Sequence, residues 1–158
     1  MGMDVYGIKP KNEIGKYFRN NVWWWHPLAN YCQFIAPSVS EKCKYWHSND
    51  ETGLDDSDSI VLAALLQAEV DSGRCANYEK QYEAARKTIP KETCEYCKGT
   101  GSRTDSVGIQ YGLDKPGGCN GCHGTGKAES FGSQYPFSLE NVKEFIAFLE
   151  NCGGFKIA

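Results

Sequence analysis

Residues 94–101 read CEYCKGTG and residues 119–126 read CNGCHGTG. Each stretch is a C-x2-C pair followed by a Gly-Thr-Gly step. Two cysteines two residues apart reach one metal ion from a tight turn, and a second such pair completes a tetrahedral shell. Cys94, Cys97, Cys119 and Cys122 are therefore read as the ligands of one Zn2+. Gly99, Gly101, Gly124 and Gly126 follow at matched offsets. A chain folding back around a thiolate needs positive φ, which glycine accepts without steric cost. Between the pairs, SVGIQY alternates like a strand and LDKPGG is turn-forming. The expected shape is a zinc-bound β-hairpin with a knuckle on each arm, held by the metal where no apolar core is available.

Outward from this segment the chain reads as helical. Leu28, Tyr31, Cys32 and Ile35 recur at helical spacing, with Pro27 at a first helical position, so the spacing predicts a helix over 27–35. Ile60–Val70 is apolar nearly all round and reads as a buried helix capped by Ser57 or Asp58. A further helix is expected over 76–89, with the stripe Tyr78, Tyr82, Ala85, Ile89 and a Glu83–Lys87 pair. Ser138 caps an amphipathic helix with Val142, Phe145, Ile146 and Leu149 on one face, and Gly153-Gly154 ends it. Asp4–Ile8 and the terminal FKIA read as short strands able to pair. The fold class is α+β, a mainly helical small domain with an inserted zinc-bound β-hairpin. The organisation is 1–90 as the helical α+β part, 91–135 as the zinc-knuckle insertion, and 136–158 as a helix and strand packing back on the first part.

The C-x-x-C-x-G-x-G repeat resembles the DnaJ-type cysteine-rich zinc domain, over residues 94–127. That domain has four repeats and places two on each zinc; this chain has two, enough for one. The resemblance implies one Zn2+ on the four cysteines. It does not extend to a J domain: His26-Pro27-Leu28 lacks the aspartate of His-Pro-Asp. The paired knuckles are also similar to those of phage late antiterminators. The remainder vaguely resembles uncharacterised small proteins of phages and bacteria.

The 158 residues carry a net charge of −3, which excludes a generally basic coat but not a local basic face. There is no apolar run of membrane-spanning length and no apolar leader, so a cytoplasmic protein is expected, one whose paired cysteines bind metal rather than form disulfides. A four-thiolate site leaves no position for water, and the chain has no nucleophile elbow, phosphate loop or H-E-x-x-H, so no enzyme is expected. CNGCH also spells a haem-attachment motif, but that reading leaves Cys94 and Cys97 without a role. Cys32, Cys43, Cys75, Cys152 and His47 have no recognised ligand spacing. Asp50, Glu51, Asp55, Asp56 and Asp58 lack calcium-loop spacing and read as a solvated loop.

The expected function is that of a non-enzymatic, zinc-stabilised interaction protein that binds and modulates another macromolecule, foremost a protein. A phage-encoded inhibitor or modulator of host machinery suits its size. The alternative is a nucleic-acid-binding transcription regulator resembling the antiterminators, and the second alternative an enzyme of unknown class. Candidate partner contacts are Trp23, Trp24, Trp25, Arg103, Tyr111 and His123. Three consecutive tryptophans cannot all face one core.

Overall fold

The computed structural model describes residues 2–158, which divide into two compact units. The first comprises residues 2–84 and 135–158, the second residues 85–134. It is a mixed α/β chain.

The first unit is built on a four-stranded antiparallel sheet of order β2-β1-β6-β3, from β1 (Gly2–Gly7), β2 (Tyr17–Asn21), β3 (Thr52–Leu54) and β6 (Phe155–Ile157). Alternation assigns the faces. Met3, Val5, Phe18, Leu54, Phe155 and Ile157 are buried, while Tyr6, Tyr17, Arg19 and Lys156 point the other way and are exposed. Val5 lies opposite Ile157, so the N- and C-terminal strands are neighbours in the sheet.

The buried face shares one core with helices α1 (Val22–Ile35), α3 (Asp56–Asp71) and α6 (Leu139–Asn151). Aromatic rings dominate it. Phe145 meets Trp25 edge-on at 5.7 Å and Phe18 at 5.1 Å, and Trp25 stacks on Trp46 at 6.2 Å. Each buried indole N–H has an acceptor: Trp25 donates to the Trp46 carbonyl and Trp46 to that of Ser40. Full burial of a Phe side chain stabilises by about 1.5–3 kcal/mol. The short helix α2 (Pro37–Ser40) supplies that last acceptor.

Local chemistry sets the helix boundaries. The helix predicted over 27–35 starts five residues earlier, because the Asn21 side chain accepts the Trp24 amide at 3.1 Å and caps the chain before Pro27 is reached. For α3 the cap is Asp55, accepting the Asp58 amide at 2.8 Å, rather than Ser57 or Asp58. That helix is also not buried all round: Leu62, Ala63 and Leu66 are inside, but Ile60, Val61 and Leu65 face solvent. Helix α4 (Arg74–Lys87) carries Tyr78 and Tyr82 against Phe137 and Tyr31. Glu83 accepts the Phe137 amide at 2.9 Å and Glu79 the Leu139 amide at 3.1 Å, fixing the start of α6. Ser138 caps α6 through the Asn141 amide. Glycines 153 and 154, at φ +63° and +86°, then turn the chain into β6.

The second unit contains a two-residue antiparallel ladder, β4 (Glu92–Thr93) with β5 (Lys127–Ala128), the five-residue helix α5 (Ser106–Gln110) and a 3-10 turn at Phe131–Gln134. SVGIQY is thus helical, not a strand. Asp105 accepts the Gly108 amide at 2.7 Å, and this cap overrides the alternating pattern. The β pairing is confined to the base of the segment.

Candidate metal centre

The four knuckle cysteines converge. Their sulfur atoms all lie within 4.8 Å of one another and all four residues are buried. Cys94 and Cys119 are 3.8 Å apart, Cys97 and Cys122 3.6 Å. A tetrahedron with metal–sulfur bonds of about 2.3 Å has edges of about 3.8 Å. The donor set and its spacing therefore fit a tetrahedral thiophilic ion.

The two knuckles are built alike, atom for atom. The Gly101 amide donates to Cys97 Sγ at 3.3 Å and the Gly126 amide to Cys122 Sγ at 3.2 Å. Thr100 Oγ1 donates to the Cys97 carbonyl and Thr125 Oγ1 to that of Cys122. The residues after the inner cysteines, Lys98 and His123, both sit at φ +51°. Each half also bonds the other: the Cys94 amide donates to the Gly126 carbonyl at 3.0 Å, and the Cys119 amide to the Gly101 carbonyl at 2.9 Å. The halves touch through glycine. A Cβ on Gly101 would lie 2.4 Å from the Gly124 oxygen, and one on Gly126 2.4 Å from the Gly99 oxygen.

Packing four thiols into one small volume grades their acidity. Burial opposes ionisation of Cys97, but the amides of Gly101 and Gly99 and the neighbouring thiols Cys122 and Cys94 outweigh it and bring it down to about 6. Burial is the main reason Cys119 is pushed up to about 11, and Cys122 and Cys94 add to it. The cluster thus favours a thiolate at Cys97 and opposes one at Cys119. A bound divalent cation would lift that opposition.

Arg103 takes a structural place here. Its side chain is only 12% exposed; it forks onto Asp105 at 2.9–3.1 Å, donates to Asn120 Oδ1 at 3.2 Å and lies 4.5 Å over the Tyr96 ring. It thereby clamps the first knuckle to the second, and its donors are spent inside the unit rather than offered to a partner. Tyr111 and His123 are exposed. Trp25 is fully buried and so is no partner contact. Trp23 and Trp24 are half-buried, and Trp23 packs on Tyr135 at 5.0 Å.

Among the described residues, the knuckle cysteines are the one group of three or more side chains placed to share a metal. Cys32, Cys43, Cys75 and Cys152 are buried separately, and burial pushes each thiol up, away from the thiolate a metal needs. His47 meets His26 instead. Their Nδ1 atoms are 2.7 Å apart, one donating and one accepting, and Gln33 reaches His47 Nε2 at 3.2 Å. Twenty-one residues separate the two histidines, so no local spacing signals the pair.

Comparison of the chain with models of known families, with curated proteins and with solved structures finds no match. No helix among the described residues is long and apolar enough to cross a membrane.

Proposed function

We propose that the protein is a zinc-stapled, non-catalytic binding protein that acts by engaging and modulating another macromolecule. The observation that carries this is the closed shell of four buried sulfurs at 3.6–3.8 Å across the paired contacts. Four thiolates saturate Zn2+ and leave no position for a reacting water, so the ion is a staple. Around it, the unit offers surface rather than a catalytic constellation. Val107, Ile109 and Tyr111 project from α5 and its end, exposed and outside the buried cluster. A depression of about 310 Å³ beside the second knuckle is lined by Lys91, Cys122, His123, Thr125, Lys127 and Glu129, and on this reading Cys122 is committed to the metal.

Metal analysis of protein purified without chelator tests this. About one zinc per chain is expected, lost in Cys97→Ser. Tetrahedral sulfur also suits iron, and coloured protein carrying iron in place of zinc, or no metal at all, would overturn the assignment.

A further inference from the structure

A smaller depression, of about 200 Å³, lies within the second unit. Its lining holds three carboxylates, Glu92, Glu95 and Glu129, and two aromatic rings, Tyr96 and Phe131. Among the described residues it holds no lysine, arginine or histidine. Cys94 lines it too, so the depression abuts the sulfur cluster.

The negative sign survives the neighbouring cations. Lys91 pairs with Glu129 at 2.7 Å, and Lys127 reaches the Thr93 hydroxyl at 3.4 Å. These two offset two of the three acids, and Arg103 is matched by Asp105. The Lys91–Glu129 pair is exposed at both ends and so exchanges readily. Glu92 accepts a neutral donor, the Ser130 hydroxyl, at 2.7 Å. Four thiolates around one divalent cation leave two negative charges in excess. Cys94 brings that excess to the wall of the depression.

Size and chemistry narrow the occupant. Pockets for whole small-molecule ligands run to about 300–1,000 Å³, so this one suits a single side chain. A guanidinium is planar, stays charged, forks onto carboxylates and stacks on aromatic rings, which an ammonium does less well. The same recognition already occurs inside the unit, where Arg103 lies 4.5 Å over the Tyr96 ring and forks onto Asp105 at 2.9–3.1 Å. The rings are set in advance. Arg103 holds Tyr96 in place, and a Cβ on Gly121 would fall 2.3 Å from its ring. Phe131, 62% exposed, stands on a turn closed by the Ser133 amide and hydroxyl on the Ser130 carbonyl. We propose that this depression receives an arginine side chain of a protein partner, with Glu92 and Glu95 accepting the guanidinium and Phe131 stacking on it, a proposal that rests on the metal reading and names the chemistry of the partner.

The test uses the full, zinc-loaded, isotope-labelled chain and the peptide Gly-Ser-Arg-Gly-Arg-Ser-Gly, with lysine and citrulline in place of arginine as two further probes. Amide shifts in the NMR spectrum report both affinity and place. Saturable shifts are expected at residues 92–96 and 128–131, strongest for arginine, weaker for lysine and absent for citrulline, which keeps the shape but not the charge. Glu95→Gln and Phe131→Ala, both at exposed positions, should each weaken binding about threefold or more. Asp50→Asn/Glu51→Gln removes acids from the first unit and should leave affinity unchanged, which separates a site from general attraction to an acidic chain. Absence of saturable shifts at these residues overturns the proposal, as does unchanged affinity in both Glu95→Gln and Phe131→Ala, or an equal loss in Asp50→Asn/Glu51→Gln. Lysine or citrulline binding as tightly as arginine overturns the guanidinium assignment. Zinc is measured on the same samples. Zinc bound without peptide binding sinks this inference alone; a chain that holds no zinc sinks the metal reading and this inference with it.

Discussion

The two units hold their chains by different means. In the first, Trp25, Phe145, Phe148, Phe155 and their neighbours form a continuous apolar core. In the second, the buried hydrophobic cluster consists of the four cysteines, with Ala128 against them. A segment of about 50 residues removes only marginally enough apolar surface from water to offset its chain entropy. The second unit has four clustered sulfurs, placed to share an ion, where a core would be. On the proposed metal reading one unit is stabilised by area and the other by coordination, and they should fail under different insults.

The largest effect expected is metal removal. Binding to a structural four-thiolate site stabilises by about 10–16 kcal/mol at neutral pH. Chelation or Cys97→Ser should therefore abolish protection of residues 91–130 in hydrogen exchange and leave the core amides around Phe145 protected. Simultaneous loss in both regions would show that the two kinds of stabilisation are not separate.

Next is the reverse experiment. Trp25→Ala or Phe145→Ala should destabilise the first unit by about 3–5 kcal/mol in denaturant titration, with zinc content unchanged. A lower zinc content would break the comparison from the other side.

A smaller effect is expected within the knuckles. Alanine at Gly101 or Gly126 meets the opposite half's carbonyl oxygen and must adopt φ near +77°. About 1–3 kcal/mol should be lost from the second unit, read as weaker zinc retention against a chelator. Gly112→Ala, at φ +67° with nothing within 4 Å of its Cβ, serves as the control, with only the backbone cost of about 1–2 kcal/mol. Equal losses at both sites would mean that the glycine-to-glycine contact contributes nothing.

The smallest effect concerns the histidine pair. Burial lowers both histidines below 6.5, and His26 further lowers His47. The unfolded chain then takes up protons at a higher pH than the folded one. The stability from the neutral pair is fully present above 6.5 and is lost as pH falls below it. Denaturation of the first unit at pH 7.5, 6 and 5 should show this decline, shallower in His26→Gln/His47→Gln. Parallel profiles for variant and wild type would remove the pair from the account.

The sequence was most informative where the determining contacts are local. The knuckles, the Ser138 cap and the stripe of α6 each lie within a few residues, and each pattern is visible in the letters. The pairing of β1 with β6 was legible from short alternating runs at the two ends. Reading failed where one side chain outvoted a pattern. Asn21 starts α1 ahead of Pro27, and Asp105 turns an alternating run into α5. It failed again where the partner is remote in sequence. His26 with His47, Glu79 and Glu83 with the start of α6, and Arg103 with Asn120 leave no periodic trace. The lining of the acidic depression is of the same kind, since its members come from residues 92–96 and 121–134 and only the fold joins them.

The exchange of backbone bonds between the knuckles has an evolutionary consequence. Cys94 donates to Gly126 and Cys119 to Gly101, so each half offers what the other requires. Such a unit is self-complementary. A peptide carrying a single eight-residue half would close the same shell around one ion as a symmetric pair of chains. Duplication within one gene would then convert that dimer into an intramolecular site, its affinity no longer dependent on concentration.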